Sequence, residues 1–91
     1  MADQATIATD ILARYAADAA LEVEGVRALA GRRGVRISGK EAIRIEIHVV
    51  AERGVSIPAL GRAVQKRVRG YLSSMADLEP TAVDVVVDGI E

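Results

Sequence analysis

Apolar residues fall into distinct rhythms along this 91-residue chain, and each rhythm predicts a different element. From Thr6 to Val23 the positions Ile7, Ile11, Tyr15, Ala19 and Val23 recur every four residues, with Leu12, Ala16 and Ala20 beside them. That spacing marks one face of an amphipathic helix. Its alanines favour the helix and let its axis approach whatever it packs on. Asp10, Arg14, Asp18 and Glu22 take the wet face, and Gly25 is placed to cap the C-terminus.

The rhythm then shortens to two. Val35-Arg36-Ile37 and the run Ile43 to Val49 alternate on either side of Ser38-Gly39-Lys40-Glu41, which predicts an antiparallel hairpin. Ile43, Ile45, Ile47 and Val49 face the core; Arg44, Glu46 and His48 face away. Ser56 caps a second helix, with Pro58 in the first turn where a missing N–H costs nothing. Ile57, Leu60, Val64, Val68, Tyr71 or Leu72, and Met75 form its apolar face, with Arg62, Lys66, Arg69 and Ser73 outside. After Pro80, Thr81 to Asp88 reads as a last strand with Val83, Val85 and Val87 inward.

The order helix-strand-strand-helix-strand predicts an α+β fold, a two-layer sandwich with two helices on one face of a three-stranded sheet. The second sheet face is polar. Residues 1–91 read as a single domain, with residues 1–5 expected to be disordered.

Composition narrows what such a fold does. Hydrophobic residues make up 51% and charged residues 27%, the balance of a globular chain. With no Phe, Trp or Cys, the core is aliphatic and neither a disulfide nor a thiolate metal site can form. A core this small is stabilised by self-association or a partner. No run approaches the roughly 18 apolar residues of a membrane span. Met1-Ala2-Asp3-Gln4 lacks the basic start of a signal peptide, so the expected location is cytoplasmic, peripheral to a membrane only through a partner.

The net charge of −1 hides a segregation. Residues 1–26 carry five acids against Arg14, residues 77–91 carry five acids and no base, and residues 27–76 carry eleven Lys/Arg against three Glu. Pairing of the middle with the two ends is the plainer expectation. A basic face for an acidic partner, nucleic acid or anionic lipid is the alternative.

Candidate chemistry is sparse. His48 is the only histidine, within reach of Glu46 and, given suitable pairing, of Asp84 or Asp88. It reads as a solvated strand histidine, because one imidazole is a weak metal anchor, and no metal or cofactor is expected. A pH-sensitive contact is a second reading. The serines do not assemble with a base into a nucleophilic set, so an enzyme is not expected. Gly31-Arg32-Arg33-Gly34 has the GxxG form that clamps nucleic-acid backbones in KH domains. There the loop joins two helices and here it precedes a strand, so a turn is the plainer reading. Arg62, Lys66 and Arg69, flanked by Arg67, form a basic stripe on the second helix. The stripe is either a solvated face or a docking surface for an acidic protein segment, with anionic lipid and nucleic acid behind. If Thr81–Asp88 or Val35–Ile37 lies at a sheet edge, its unpaired backbone groups offer a second docking route.

The ordered set Ile7-Ala8 with Ile11 and Ala16, Glu22-Val23-Glu24-Gly25-Val26, Ile43 to Val49, Gly54-Val55-Ser56-Ile57, Val64-Gln65 with Val68, Met75-Ala76-Asp77-Leu78 and Val83 to Ile90 resembles the alkaline shock protein family of bacterial envelope stress response proteins. The chain departs from it at Ala51-Glu52-Arg53-Gly54, where an aromatic and a glycine are common, and at Ala76-Asp77, where a threonine-glycine pair is common. The resemblance implies a non-enzymatic cytoplasmic protein that self-associates and reaches the envelope through a membrane-anchored partner. It carries over no catalytic or ligand site. The alternative is a KH-like RNA-associated module using the basic middle, with Arg32 and Arg33 as contacts.

Overall fold

The computed structural model describes residues 8–31 and 34–91. In chain order these form α1 (Thr9–Leu21), β1 (Val26–Leu29), β2 (Val35–Ser38), β3 (Arg44–Ala51), α2 (Ile57–Ala76) and β4 (Ala82–Ile90). The α+β sandwich is as expected. Ile7 and the stretch 1–5 lie outside the described residues.

The sheet has four strands rather than three. β3 is its centre: β4 runs parallel to it along its whole length, and β1 and β2 lie end to end against its other side, both antiparallel. The hairpin is present, with Val35 opposite Ile47 and Ile37 opposite Ile45. β1 pairs with Val49–Ala51 through a register shift between Val26 and Ala28, which breaks the alternation that would mark a strand in sequence. Between β1 and β2, Ala30 N–H donates to His48 O at 2.8 Å and His48 N–H donates to Gly34 O at 2.7 Å. The GxxG stretch therefore carries the chain from one half of this edge to the other. Gly34 is required for the close approach, since a Cβ there would stand 2.6 Å from the Leu29 Cβ.

Alternation along β3 sends Ile45, Ile47, Val49 and Ala51 into the helix layer, all fully buried. α2 covers them with Leu60, Val64, Val68 and Leu72, spaced four apart and each at most 4% exposed. Burying four such side chains stabilises the fold by about 1.5–3 kcal/mol apiece. Ser56 caps this helix, its Oγ accepting from Ala59 N–H at 3.3 Å. α1 adds Leu12, Ala16, Ala19 and Ala20, and Tyr15 meets Tyr71 edge-on at 5.9 Å.

Two expected core positions are corrected. Ile11 is 45% and Met75 50% exposed. A strict four-residue series advances 400° per step and so turns about 40° off its face each time. The buried face of α1 follows Leu12, Ala16, Ala19 and Ala20 instead. Met75 sits in the last turn of α2, where the core face passes from Leu72 to Ala76 and leaves Met75 to one side. Gly25, also expected as the helix cap, lies past the Glu22 cap; it takes φ +102° and turns the chain into β1.

Candidate interaction surface

All described polar and charged side chains lie at the surface; those in the buried class are apolar. The sheet face away from the helices holds the densest group. His48 Nε2–H donates to Glu46 Oε2 at 2.6 Å, and Nδ1–H donates to Asp88 Oδ2 at 2.9 Å. Glu46 precedes His48 by two on β3, so both point the same way. His48 pairs with Val86, so Asp88, two residues further along β4, lies diagonal to it on the same face; a register shift follows, Val49 pairing with Val87 and Val50 with Gly89.

A carboxylate on each ring nitrogen favours the charged form of the imidazole. The hydrogen bond to Glu46, then that to Asp88, raises the His48 pKa above its ordinary 6.5, against a smaller opposing effect of burial. The same bond lowers the Glu46 pKa, helped by Arg36, its cross-strand neighbour on β2. Because the two ring nitrogens point apart, the three groups do not converge on a common point. Among the described residues no cluster of His, Asp and Glu is placed to hold a metal ion.

Charge pairing largely follows the plainer expectation. Arg44 meets Asp84 at 3.6 Å, Arg27 meets Glu91 at 3.4 Å, and Arg67 meets Glu22 at 3.0 Å. The basic middle is thus tied to both acidic ends through exposed pairs, each contributing under about 1 kcal/mol.

Of the predicted basic residues on α2, Arg62, Lys66 and Arg69 stay neighbours on one exposed face, at spacings of four and three, and only the flanking Arg67 turns away. Arg67 turns toward α1 and Glu22, and Lys66 borders a shallow hollow with Gly70 and Val23. Gln65 and Arg69, four apart, take the side of α2 toward β4, and Arg62 lies two turns before Arg69. That flank overlies the start of β4: Gln65 Nε2–H donates to Val83 O at 2.9 Å, and Arg69 Nη1–H donates to Pro80 O at 2.8 Å. Arg62 is exposed and has no ion pair among the described residues.

Both strands named as candidate edges are edges. β2 pairs only with β3, and beside it α1 borders a groove of about 970 Å³ reaching Asp10, Ala13, Arg14 and Ala17. β4 also pairs only with β3 and is the longer, at nine residues. Its parallel pairing was not read from the sequence. The signal was there, since α2 between β3 and β4 is the crossover that a parallel pair requires. Arg32 and Arg33, the candidate nucleic-acid contacts, lie outside the described residues; Gly31 before them takes φ +74° in a link between two strands.

Comparison with known proteins bears on this geometry. The sequence model of the ASP23 family, described as having a cell envelope-related function, matches residues 30–91. The uncharacterised protein YqhY of Bacillus subtilis (strain 168) is 28% identical over 101 aligned residues, covering 93% of this chain and 75% of that protein. Among solved structures, a copper form of a MamM CTD variant superposes with a TM-score of 0.73 at 17% identity, covering 92% of this chain and all of that one. A nickel form of another variant gives 0.71 at 17% identity, covering 90% and 99%. At that identity the likeness is one of fold.

Proposed function

The chain belongs to the ASP23 (alkaline shock protein) family, whose function is cell envelope-related, and on that premise we propose that it is a non-enzymatic envelope stress adaptor. It acts as a small protein–protein interaction scaffold, reaching the membrane through a membrane-anchored partner and associating with copies of itself. One observation carries the reading: an apolar core is wrapped by charged, accessible surfaces that include a nine-residue strand edge with nothing paired against it among the described residues. A surface of that kind recruits other chains. No described helix is long and apolar enough to cross a membrane.

Co-sedimentation tests it. The purified chain is mixed with native bacterial membranes, with the same membranes shaved by protease, and with vesicles of anionic lipid. Binding to native membranes alone is expected. Equal binding to the lipid vesicles, or none to native membranes, would overturn the adaptor reading.

A further inference from the structure

We propose that the outer edge of β4 receives an extended segment of a partner protein as an added strand, with acidic and apolar side chains on its helix-facing side. The assignment rests on the adaptor reading above and names its docking site.

The edge itself is the first observation. Ala82–Ile90 has one paired side, contains no proline or lysine, and is longer than any other strand of the sheet. Strands left open at a sheet edge are ordinarily short, interrupted or guarded by lysine. This one is long and free of proline and lysine; its one bulge, at Asp88, lies near its end, so residues 82–87 stay open to a partner strand.

What covers it follows from the two borders. On the helix side, Val85 and Val87 pack against the core yet stay partly exposed, and a Cβ built on Gly61 of α2 would meet nothing within 4 Å. That leaves a narrow apolar shelf between helix and edge. Arg69 is held over the start of β4 by its bond to Pro80 O, beside Gln65 on Val83 O, and the exposed Arg62 lies two turns earlier on the same side of α2. Side chains of an added strand that point toward the helices enter this space, so apolar residues fill the shelf and carboxylates meet the arginines. On the open face the edge carries Asp84 and Asp88, already matched by Arg44 and His48. The added strand therefore presents neutral or basic residues on that side.

The same charges argue against a second copy at this edge. Two-fold pairing of β4 with itself would bring both copies' Arg62 and Arg69 together on one face and both sets of Asp84 and Asp88 together on the other. The β2 edge is the weaker competitor: it has four residues, and its groove is bordered by Asp10 and Arg14, which have opposite sign.

The test is an amide-resolved NMR titration of the full chain with the peptide Thr-Glu-Thr-Val-Thr-Glu-Thr-Val-Thr. Expected shifts cluster on Ala82–Ile90. A peptide with Lys in place of Glu should bind about tenfold more weakly. Arg62→Glu combined with Arg69→Glu should weaken the Glu peptide by a similar factor and strengthen the Lys peptide. Arg62→Glu alone, which disturbs no hydrogen bond given above, keeps the test open if the double variant fails to fold. Methylating alternate peptide nitrogens should abolish binding in one of the two possible phases, as strand pairing requires. No binding, equal affinity for the Glu and Lys peptides, or shifts centred on β2 would overturn the proposal. So would concentration-dependent β4 shifts without peptide, accompanied by a doubled sedimentation mass. Protein-dependent membrane binding alongside a failed titration removes the β4 site and leaves the adaptor reading standing. The converse pair of results removes the adaptor reading alone.

Discussion

The same substitution, glycine to alanine, should move stability in opposite directions at two positions. Gly39 turns the β2–β3 hairpin at φ +94°, and a Cβ there would stand 1.9 Å from the carbonyl oxygen of Ala42 and 3.0 Å from its carbon. The obstacle is backbone, so a rotamer change cannot relieve it. The left-handed conformation costs an L-residue about 1–2 kcal/mol. Displacing the carbonyl adds strain, giving a total of about 2–4 kcal/mol. In a domain of this size each kcal/mol shifts Tm by about 4–8 °C, so Gly39→Ala should melt at least about 8 °C lower. Gly70 lies inside α2 with nothing within 4 Å of its would-be Cβ. There alanine supplies helix propensity and restricts the unfolded chain, for a gain of about 0.5–1 kcal/mol and a rise of a few degrees. Thermal melts by circular dichroism read both. A Gly39→Ala variant melting with the wild type, or both variants moving the same way, would refute the reasoning and with it the hairpin geometry.

Three further outcomes follow from the packing and charge. Asp77 ends α2 in the left-handed region at φ +53°, its N–H returning to Ser73 O at 3.1 Å, so Asp77→Gly should stabilise the domain by about 0.5–1 kcal/mol in a denaturant titration. Leu72→Ala, in a fully buried site, should cost about 2–5 kcal/mol, whereas Met75→Ala, half-exposed in the next turn, should stay within about 0.5 kcal/mol. His48 has a raised pKa, so its contribution to stability is complete below about pH 6.5 and is lost as pH rises through the raised value. Glu46 has a lowered pKa, so its contribution is complete above about pH 4.5 and is lost as pH falls through the lowered value. His48→Asn should flatten the alkaline limb of the stability–pH profile, which chemical denaturation across pH 5–9 measures; an unchanged limb would mean the carboxylates do not hold the charged ring.

Much of the fold was legible because burial writes itself into period. Ile45, Ile47 and Val49 alternate, and Leu60, Val64, Val68 and Leu72 step by four, since one neighbouring layer covers each element. What stayed hidden lacked that stamp. β1 is four residues with a register shift inside it, so its exposure follows no alternation. Arg67 looked continuous with the basic stripe because spacing gives an angle around a helix but not the neighbours at that angle. Only the packed structure separates Arg67, turned to Glu22, from Arg62 and Arg69 beside β4. His48 is placed on the outer face with Glu46 by alternation alone, but the choice of Asp88 over Asp84 as its second carboxylate rests on the β3–β4 register, which the sequence does not give.

The central claim is that the chain engages an envelope protein through the β4 edge and the arginines beside it. The most direct measurement is affinity capture of the tagged protein from detergent-solubilised native lysate, with and without nuclease, run in parallel for the wild type and the Arg62→Glu, Arg69→Glu variant. The account predicts a membrane protein in the wild-type eluate that survives nuclease and is lost from the folded variant. RNA or ribosomal components that disappear with nuclease, or a membrane partner retained equally by the variant, would contradict it.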